Sequence, residues 1–320
     1  MMQRTYEAPI RVRGLKKQYG DREVLRGIDL DIAHGETYAL LGPNGAGKST
    51  AIEILEGVRR PDSGEVRVLG CDPLTAPRAW KASIGVVAQS TGDFGPYSAR
   101  ELVTHIAALY SNARGADEVL DLVGLREQGS IRASKLSGGQ QRRLDVALGI
   151  VGRPRLLFLD EPTTGFDPAA RRQFWEMLET LTDEGTAILL TTHYLDEAAR
   201  LADRVGVLSE GRIVAEAPPA ELGGPDARTP VVTWLDAGGR EREERTAAPA
   251  ALVARLREDA LAAGGPEGEP AELEVRRPGL EDVYLALIRQ ENSDLEDLTS
   301  APSKAKFNAD AGTHQMEQTR

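Results

Sequence analysis

Gly42-Pro43-Asn44-Gly45-Ala46-Gly47-Lys48-Ser49 fits the spacing G-x-x-x-x-G-K-[ST], and its surroundings decide what the spacing means. Before it, Glu36-Thr37-Tyr38-Ala39-Leu40-Leu41 is short and mostly apolar, as a buried strand is. After it, Thr50-Ala51-Ile52-Glu53-Ile54-Leu55 has helical spacing and stops at Gly57. Strand, glycine loop and helix in that order make a phosphate cradle. The glycines let the backbone wrap close to a polyphosphate, and the N–H groups at the helix start point inward with the positive end of the helix dipole. Lys48 adds a mobile charge for the β- and γ-phosphates, Ser49 a hydroxyl for Mg²⁺, and Thr50 a hydroxyl for a phosphate oxygen.

The bulk numbers narrow the setting. A chain of 320 residues makes one large or two modest domains with length enough for a core. A formal charge of −11 leaves no basic footprint for nucleic acid. Cys71 is the single cysteine, which excludes an internal disulfide and suits a reducing compartment. Residues 1–7 carry no apolar signal region, and no run approaches the roughly 18 apolar residues of a membrane span. The expectation is a soluble, cytoplasmic protein.

Outward from the loop, residues 10–19 and 28–32 alternate like strands, with Gly20-Asp21 a turn between them and residues 64–70 a further strand of the same antiparallel sheet. Tyr19 lies on that turn, where an exposed ring can stack on a nucleobase. Residues 84–88 read as a buried strand ending at Gln89, whose amide stands where α/β sheets bind ligands and can ligate Mg²⁺ or orient water. Helical spacing over 99–110 and 116–123 marks a small helical subdomain. At its end Leu136-Ser137-Gly138-Gly139-Gln140 reads as a capping box, Ser137 as N-cap and Gln140 at the third position, opening a helix to Val151. Two glycines inside the box bare backbone N–H groups and make a second anion site.

Leu156-Leu157-Phe158-Leu159 is a wholly apolar strand ending in Asp160-Glu161. Two carboxylates there are costly without cationic partners. Bound Mg²⁺ and a water nucleophile supply the reason: Asp160 holds the metal through its water shell, and Glu161 orients and polarises the attacking water. Residues 162–167 form a turn and 171–181 a helix. Residues 187–191 are another buried strand, which places His193 at its carboxyl end as a donor to transferring oxygens. A hairpin over 204–208 and 212–214 closes the core, and Pro218-Pro219 with Gly223-Gly224-Pro225 marks a linker. Residues 231–236, a helix around 252–261, and residues 271–275 and 282–288 make a small α/β appendage. The run from Arg240 to Arg245 reads as a solvated face, and the polar stretch beyond 291 as disordered.

Taken together, the loop, Gln89, Leu136 to Gln140, Leu156 to Glu161, Phe166-Asp167 and His193 resemble, in content and order, the nucleotide-binding subunit of ABC transporters. The resemblance runs from Ile10 to about Ile288. It implies an α/β P-loop NTPase core over 1–97 and 150–217 with an antiparallel β subdomain. To this it adds a helical signature subdomain over 98–149, an accessory domain over 218–290 and a tail over 291–320. It implies ATP and Mg²⁺ as ligands, and catalytic roles for Lys48, Gln89, Glu161 and His193. In that family two copies pair head to tail, so Ser137 and Gly139, flanked by Gly138 and Gln140, act on the ATP of the partner copy. Asp167 bridges the two sites and Tyr19 stacks on adenine. Residues 278–285, Pro-Gly-Leu-Glu-Asp-Val-Tyr-Leu, are similar to the ending of drug-exporter ATPases of the daunorubicin-resistance type. Those work at the cytoplasmic face of the membrane beside a separate multispanning permease. Two departures stand out: glycine- and proline-rich residues 91–97 where the family has a compact turn, and Phe166 in place of a usual leucine. The rival reading, a soluble ABC ATPase of translation, DNA repair or chromosome structure, would need a second cassette or long coiled coils that this sequence lacks. A regulatory module with little hydrolysis sits poorly with an intact Glu161 and His193.

Overall fold

The computed structural model describes residues 8–89, 94–236, 238–262 and 271–289. The first half runs β1 (Ile10–Tyr19), β2 (Arg22–Ile32), β3 (Thr37–Leu41), α1 (Lys48–Leu55), β4 (Ser63–Val68), α2 (Arg78–Lys81), β5 (Ile84–Val87), α3 (Ala99–Ala107), α4 (Ala116–Leu122) and α5 (Gly138–Ile150). Then come β6 (Leu156–Asp160), α6 (Pro168–Asp183), β7 (Ala187–Thr191), α7 (Leu195–Leu201), β8 (Arg204–Ser209) and β9 (Arg212–Ala217). The chain continues through β10 (Val231–Leu235), β11 (Glu241–Arg245), α8 (Pro249–Ala262), β12 (Glu274–Arg276) and a last helix over residues 280–289.

The central sheet has the order β5-β6-β7-β3-β8-β9, parallel except for the β8–β9 hairpin. Its strands read as unbroken apolar runs because helices cover both faces, which leaves no polar side to alternate with. The register brings Val87 beside Leu159, Asp160 beside Thr191, and Thr191 beside Leu40. Gln89, Asp160, Glu161, His193 and the glycine loop after β3 therefore leave the sheet at one edge, where parallel sheets bind ligands.

On one side, the antiparallel sheet β2-β1-β4 packs over α1, with Leu25, Ile52, Leu55, Phe158 and Leu189 in one buried cluster. On the other, α3, α4 and α5 share a core with α6 and the sheet through Val103, Leu120, Leu144, Leu159 and Phe174. Phe166 is buried and meets Phe174 edge-on at 5.7 Å, so the larger ring is absorbed by packing. Helix α6 starts at Pro168, three residues before the expected start, because Asp167 caps it and proline suits the first turn. Helix α7 had no counterpart in the sequence reading.

In the carboxyl-terminal region the expected solvated face is present: residues 241–245 are all exposed, and they form a strand held in register by β10. The terminal helix does not pack with the appendage: Leu280 and Val283 join Ala39, Leu41, Val205, Val207 and Leu222 in the core. Its apolar residues at 280, 283, 284, 287 and 288 form a helical stripe that needs a cover, and small Ala198 and Ala202 leave room for it. Leu222 is fully buried, so the expected linker is pinned to the core at that residue. Gly223, at φ 82°, lies so near Val283 that a Cβ would sit 2.6 Å from its methyl. The appendage proper is β11-β10-β12 with α8, around Val232, Leu252 and Leu256. The expected disordered tail from 291, and residues 91–93 of the glycine- and proline-rich stretch, lie outside the described residues. Among the described residues no helix is long and apolar enough to cross a membrane.

Candidate nucleotide site

The glycine loop is shaped by what surrounds it. A Cβ on Gly42 would lie 2.2 Å from the Leu208 carbonyl, and one on Gly47, at φ 110°, would lie 2.7 Å from Leu25. Any side chain there would push the loop off β8 and β2. Between them Pro43, Asn44 and Gly45 are exposed, while Ala46 is buried. Helix α1 starts at Lys48 with Gly47 as an N-cap that offers no side chain, so its first amides are left for an external acceptor. Thr50 sits half-buried in that first turn.

Lys48 is buried, and its Nζ donates to the carbonyls of Gly42 at 2.6 Å and Pro43 at 3.1 Å. Burial lowers the pKa of this ammonium, and the charges of Glu161 and Asp160 oppose the shift. Two hydroxyls hold Asp160: Thr191 Oγ1 donates to Oδ1 at 2.5 Å and Ser49 Oγ to Oδ2 at 3.3 Å. Beside the loop, Arg22 donates to the Gly45 carbonyl at 3.3 Å and fastens the β1–β2 turn. Tyr19 is exposed on that turn, with Lys17 Nζ 5.4 Å and Arg59 Cζ 5.3 Å from its ring centre.

Glu161 follows β6 with φ 48°, the left-handed region that costs a side-chain-bearing residue about 1–2 kcal/mol. Its N–H is held by the Thr191 carbonyl at 3.0 Å. Its Oε2 accepts from Gln89 Nε2 at 3.3 Å and lies 3.4 Å from His193 Nδ1. Three residues from three strand ends therefore meet at one carboxylate.

Behind them sits a residue that sequence reasoning passed over. Arg142, on α5, is 3% exposed. Its Nε donates to the Pro162 carbonyl at 3.1 Å, Nη2 to the carbonyls of Asp160 at 2.7 Å and Glu161 at 3.2 Å, and Nη1 to that of Ala88. Burial pulls its pKa down, against the charges of Asp145, Asp160 and Glu161. One signal was available: 142, 146 and 150 share a helix face, and Val146 and Ile150 mark that face as buried. Glu197 was also missed. It is buried on α7, takes the Trp175 indole N–H at 3.3 Å, and has its pKa raised by burial against the pull of Thr192, Trp175 and Thr163.

The capping box at α5 is present. Ser137 Oγ accepts from the Gln140 N–H at 3.3 Å, and Gln140 Oε1 accepts from the Ser137 N–H at 2.9 Å. Gly138 has nothing within 4 Å of a notional Cβ, and Gly139 faces only the Gly165 carbonyl. This helix start opens on a cavity of about 690 Å³ lined by Gln89, Ser137, Gly139, Arg143, Gly165 and Asp167 among others. None of the described residues lining it comes from the glycine loop. Asp167 accepts from the N–H groups of Ala169 at 2.9 Å and Ala170 at 2.8 Å as the N-cap of α6. Those bonds, the one from Ala170 foremost, hold its carboxyl below the usual range. Within one chain the sequence-derived residues thus form two groups that meet at Gln89: the loop with Asp160, Glu161 and His193 on one side of it, and Ser137 to Gln140 with Asp167 around the opening that Gln89 also lines.

Residues 25–164 match the ABC transporter family. The chain is 36% identical over 315 residues to the daunorubicin resistance ATP-binding protein DrrA2 of Streptomyces coeruleorubidus, spanning 90% of this chain and 98% of that one. This chain belongs to the ATP-binding subunits of ABC transporters. Another member, the Nod factor export ATP-binding protein I of Burkholderia orbicola, is 34% identical over 90% of this chain and 99% of its own. A solved ATP-binding subunit of an ABC transporter superposes with a TM-score of 0.61 at 26% identity, covering 65% of this ABC subunit and 89% of that one. A dimeric bacterial ABC transporter cassette gives 0.58 at 25% identity, over 65% and 98%. The subunit is therefore an ATP-binding and ATP-hydrolysing transport motor with the expected P-loop core. The rival reading as a soluble ATPase of translation, repair or chromosome structure is not favoured.

Proposed function

We propose that the subunit drives export of drugs or other hydrophobic or amphipathic compounds. It works as a head-to-tail pair of copies bound to a separate multispanning permease at the cytoplasmic face of the membrane. The observation that carries the pairing is the arrangement just described: one chain holds a phosphate loop with its carboxylates, and the capped, glycine-lined start of α5 faces an opening that no residue of that loop lines. Two copies facing each other would complete both sites. Relatives named for daunorubicin resistance and for Nod factor export support the export direction and the amphipathic cargo.

In the composite site the amides at the start of α1 and Lys48 bind the phosphates, with Pro43, Asn44 and Ala46 shaping the loop and Thr50 bonding a phosphate oxygen. Tyr19 stacks on adenine. Ser49, Gln89 and Asp160 would hold Mg²⁺. The fit rests on hard oxygen donors already brought together, the Ser49 hydroxyl 3.3 Å from Asp160. Mg²⁺ bound there neutralises charge on the β- and γ-oxygens. Glu161 orients and polarises the attacking water, Gln89 and His193 fix its carboxylate, and His193 donates to the transferring oxygens. Ser137, Gly138, Gly139 and Gln140 of the facing copy cap the γ-phosphate, with Asp167 between the two sites.

A groove of about 570 Å³ lined by Glu56, Val58, Trp80, Val86 and Tyr110 supports the permease. Val58 and Val86 expose apolar surface there, 75% and 40%, beside the segment that leads to Gln89.

The test is steady-state ATPase activity against protein concentration, alongside Glu161→Gln. Specific activity that climbs with concentration, and a dead variant, is the expected result. An active profile that stays flat would mean one chain is a whole enzyme and would remove the paired role of Ser137.

A further inference from the structure

Arg142 is a buried cation that touches neither phosphate nor water in this scheme, yet it joins the two groups of site residues. It sits one turn beyond Gly138 on α5, a helix of 13 residues. A helix of that length moves as a rod, so displacement of its glycine end is felt at Arg142.

The bonding pattern is unusual for a buried arginine. Its nearest carboxylate, Asp145, is 3.9 Å away, while four main-chain carbonyls take its protons: Ala88, Asp160, Glu161 and Pro162. Ala88 precedes Gln89. Asp160 and Pro162 bracket Glu161, the residue held at φ 48°. A charged donor makes one of the stronger hydrogen bonds, and a carbonyl so held has little freedom to turn. The bonds in front of the site are longer, Gln89 to Glu161 at 3.3 Å and His193 to Glu161 at 3.4 Å. Both catalytic segments are thus tied tightly to α5 from behind and loosely to each other in front.

From this geometry we infer that Arg142 is a positioning residue. Engagement of the Ser137 end of α5 by the nucleotide of the facing copy is passed through the guanidinium to the main chain of Gln89 and Glu161, and sets their side chains for hydrolysis. Each site then learns through α5 that the other is filled. This rests on the paired reading above and adds a route within the chain.

The experiment uses the full-length chain with Arg142→Gln and Arg142→Lys, each alone and combined with Glu161→Gln. Turnover and KM for ATP are measured together with binding of a fluorescent ATP analogue, and residual rates are read by single turnover. Arg142→Gln should lower kcat about 10-fold or more while nucleotide affinity stays within about twofold, and lysine should recover part of the loss. In the Glu161→Gln background the same changes should alter the residual rate by less than about twofold, because their target is already gone. Equal losses in both backgrounds would show a merely structural role and overturn the inference, as would an unchanged kcat. If the glutamine variant fails to fold, the lysine variant carries the same comparison with the same two outcomes. A wild-type chain without turnover at any concentration would instead sink the underlying function.

Discussion

The two glycine-lined helix starts, at α1 and α5, are built in opposite ways. At α1 the glycines are pressed against β2 and β8, the N-cap has no side chain, and a buried lysine lies in the loop. At α5 the cap is complete within the chain, and the glycines face open space or a single carbonyl. The first is a socket whose shape exists before any ligand. The second is a surface that needs something brought to it. On the paired reading, one helix start holds and the other covers, and the work of a site is divided between copies.

The largest expected effect tests the socket's chemistry. Glu161→Gln should cut turnover by about 10²- to 10⁴-fold, roughly 3–5 kcal/mol of barrier, with ATP binding intact. A near-native rate would move the base elsewhere. Next, Lys48→Ala should weaken ATP binding about 10- to 100-fold, roughly 1.4–2.7 kcal/mol, in a direct titration. Unchanged affinity would mean that the socket holds phosphate by its amides alone. Ser137→Ala sharpens the contrast: ATP affinity of the isolated chain should not change, turnover should fall about tenfold at high concentration, and the lost cap should cost about 1 kcal/mol of stability. Weaker binding to the dilute chain would put the α5 start in the same site as the loop.

The smallest effect comes from the far end of α1. Glu56, its C-cap residue, has a pKa pushed up to about 7, chiefly by burial and then by the charges of Asp160 and Glu53. A carboxyl that titrates higher folded than unfolded binds more protons in the native state. Stability should therefore fall as pH rises from about 4.5 to 7, by on the order of 1 kcal/mol, and Glu56→Gln should flatten that slope in Mg²⁺-free thermal melts. A slope unchanged in the variant would assign the titration to another group.

Much of the core was legible because its physics is local. Apolar runs such as 156–159 and 187–190 can only be strands buried on both faces, and the glycine loop between strand and helix leaves one geometry. The placement of Asp160, Glu161, Gln89 and His193 at one edge was legible because each ends or closely follows such a strand. What was hidden depends on partners distant in sequence. Arg142 takes its role from the carbonyls just after β5 and β6, which lie far from it in sequence. Residues 241–245 lack any apolar alternation, and only pairing with β10 makes them a strand. The stripe on the terminal helix says that it must pack, not against what. Asp167 was read as a bridge, and in the single chain its carboxylate also caps α6.

The terminal helix changes what kind of part the appendage is. Leu222 before it and Leu280 after it are anchored in one buried cluster with Leu41, the residue preceding Gly42. Arg228 ties the two feet by donating to the Pro219 carbonyl at 2.5 Å and the Pro278 carbonyl at 3.3 Å. The appendage is thus an insertion with both ends fixed, rather than an extension hung from one. For protein engineering, it can be exchanged between those feet as a cartridge. Shortening the chain from its carboxyl end would instead strip the cover from the strand that carries the nucleotide loop.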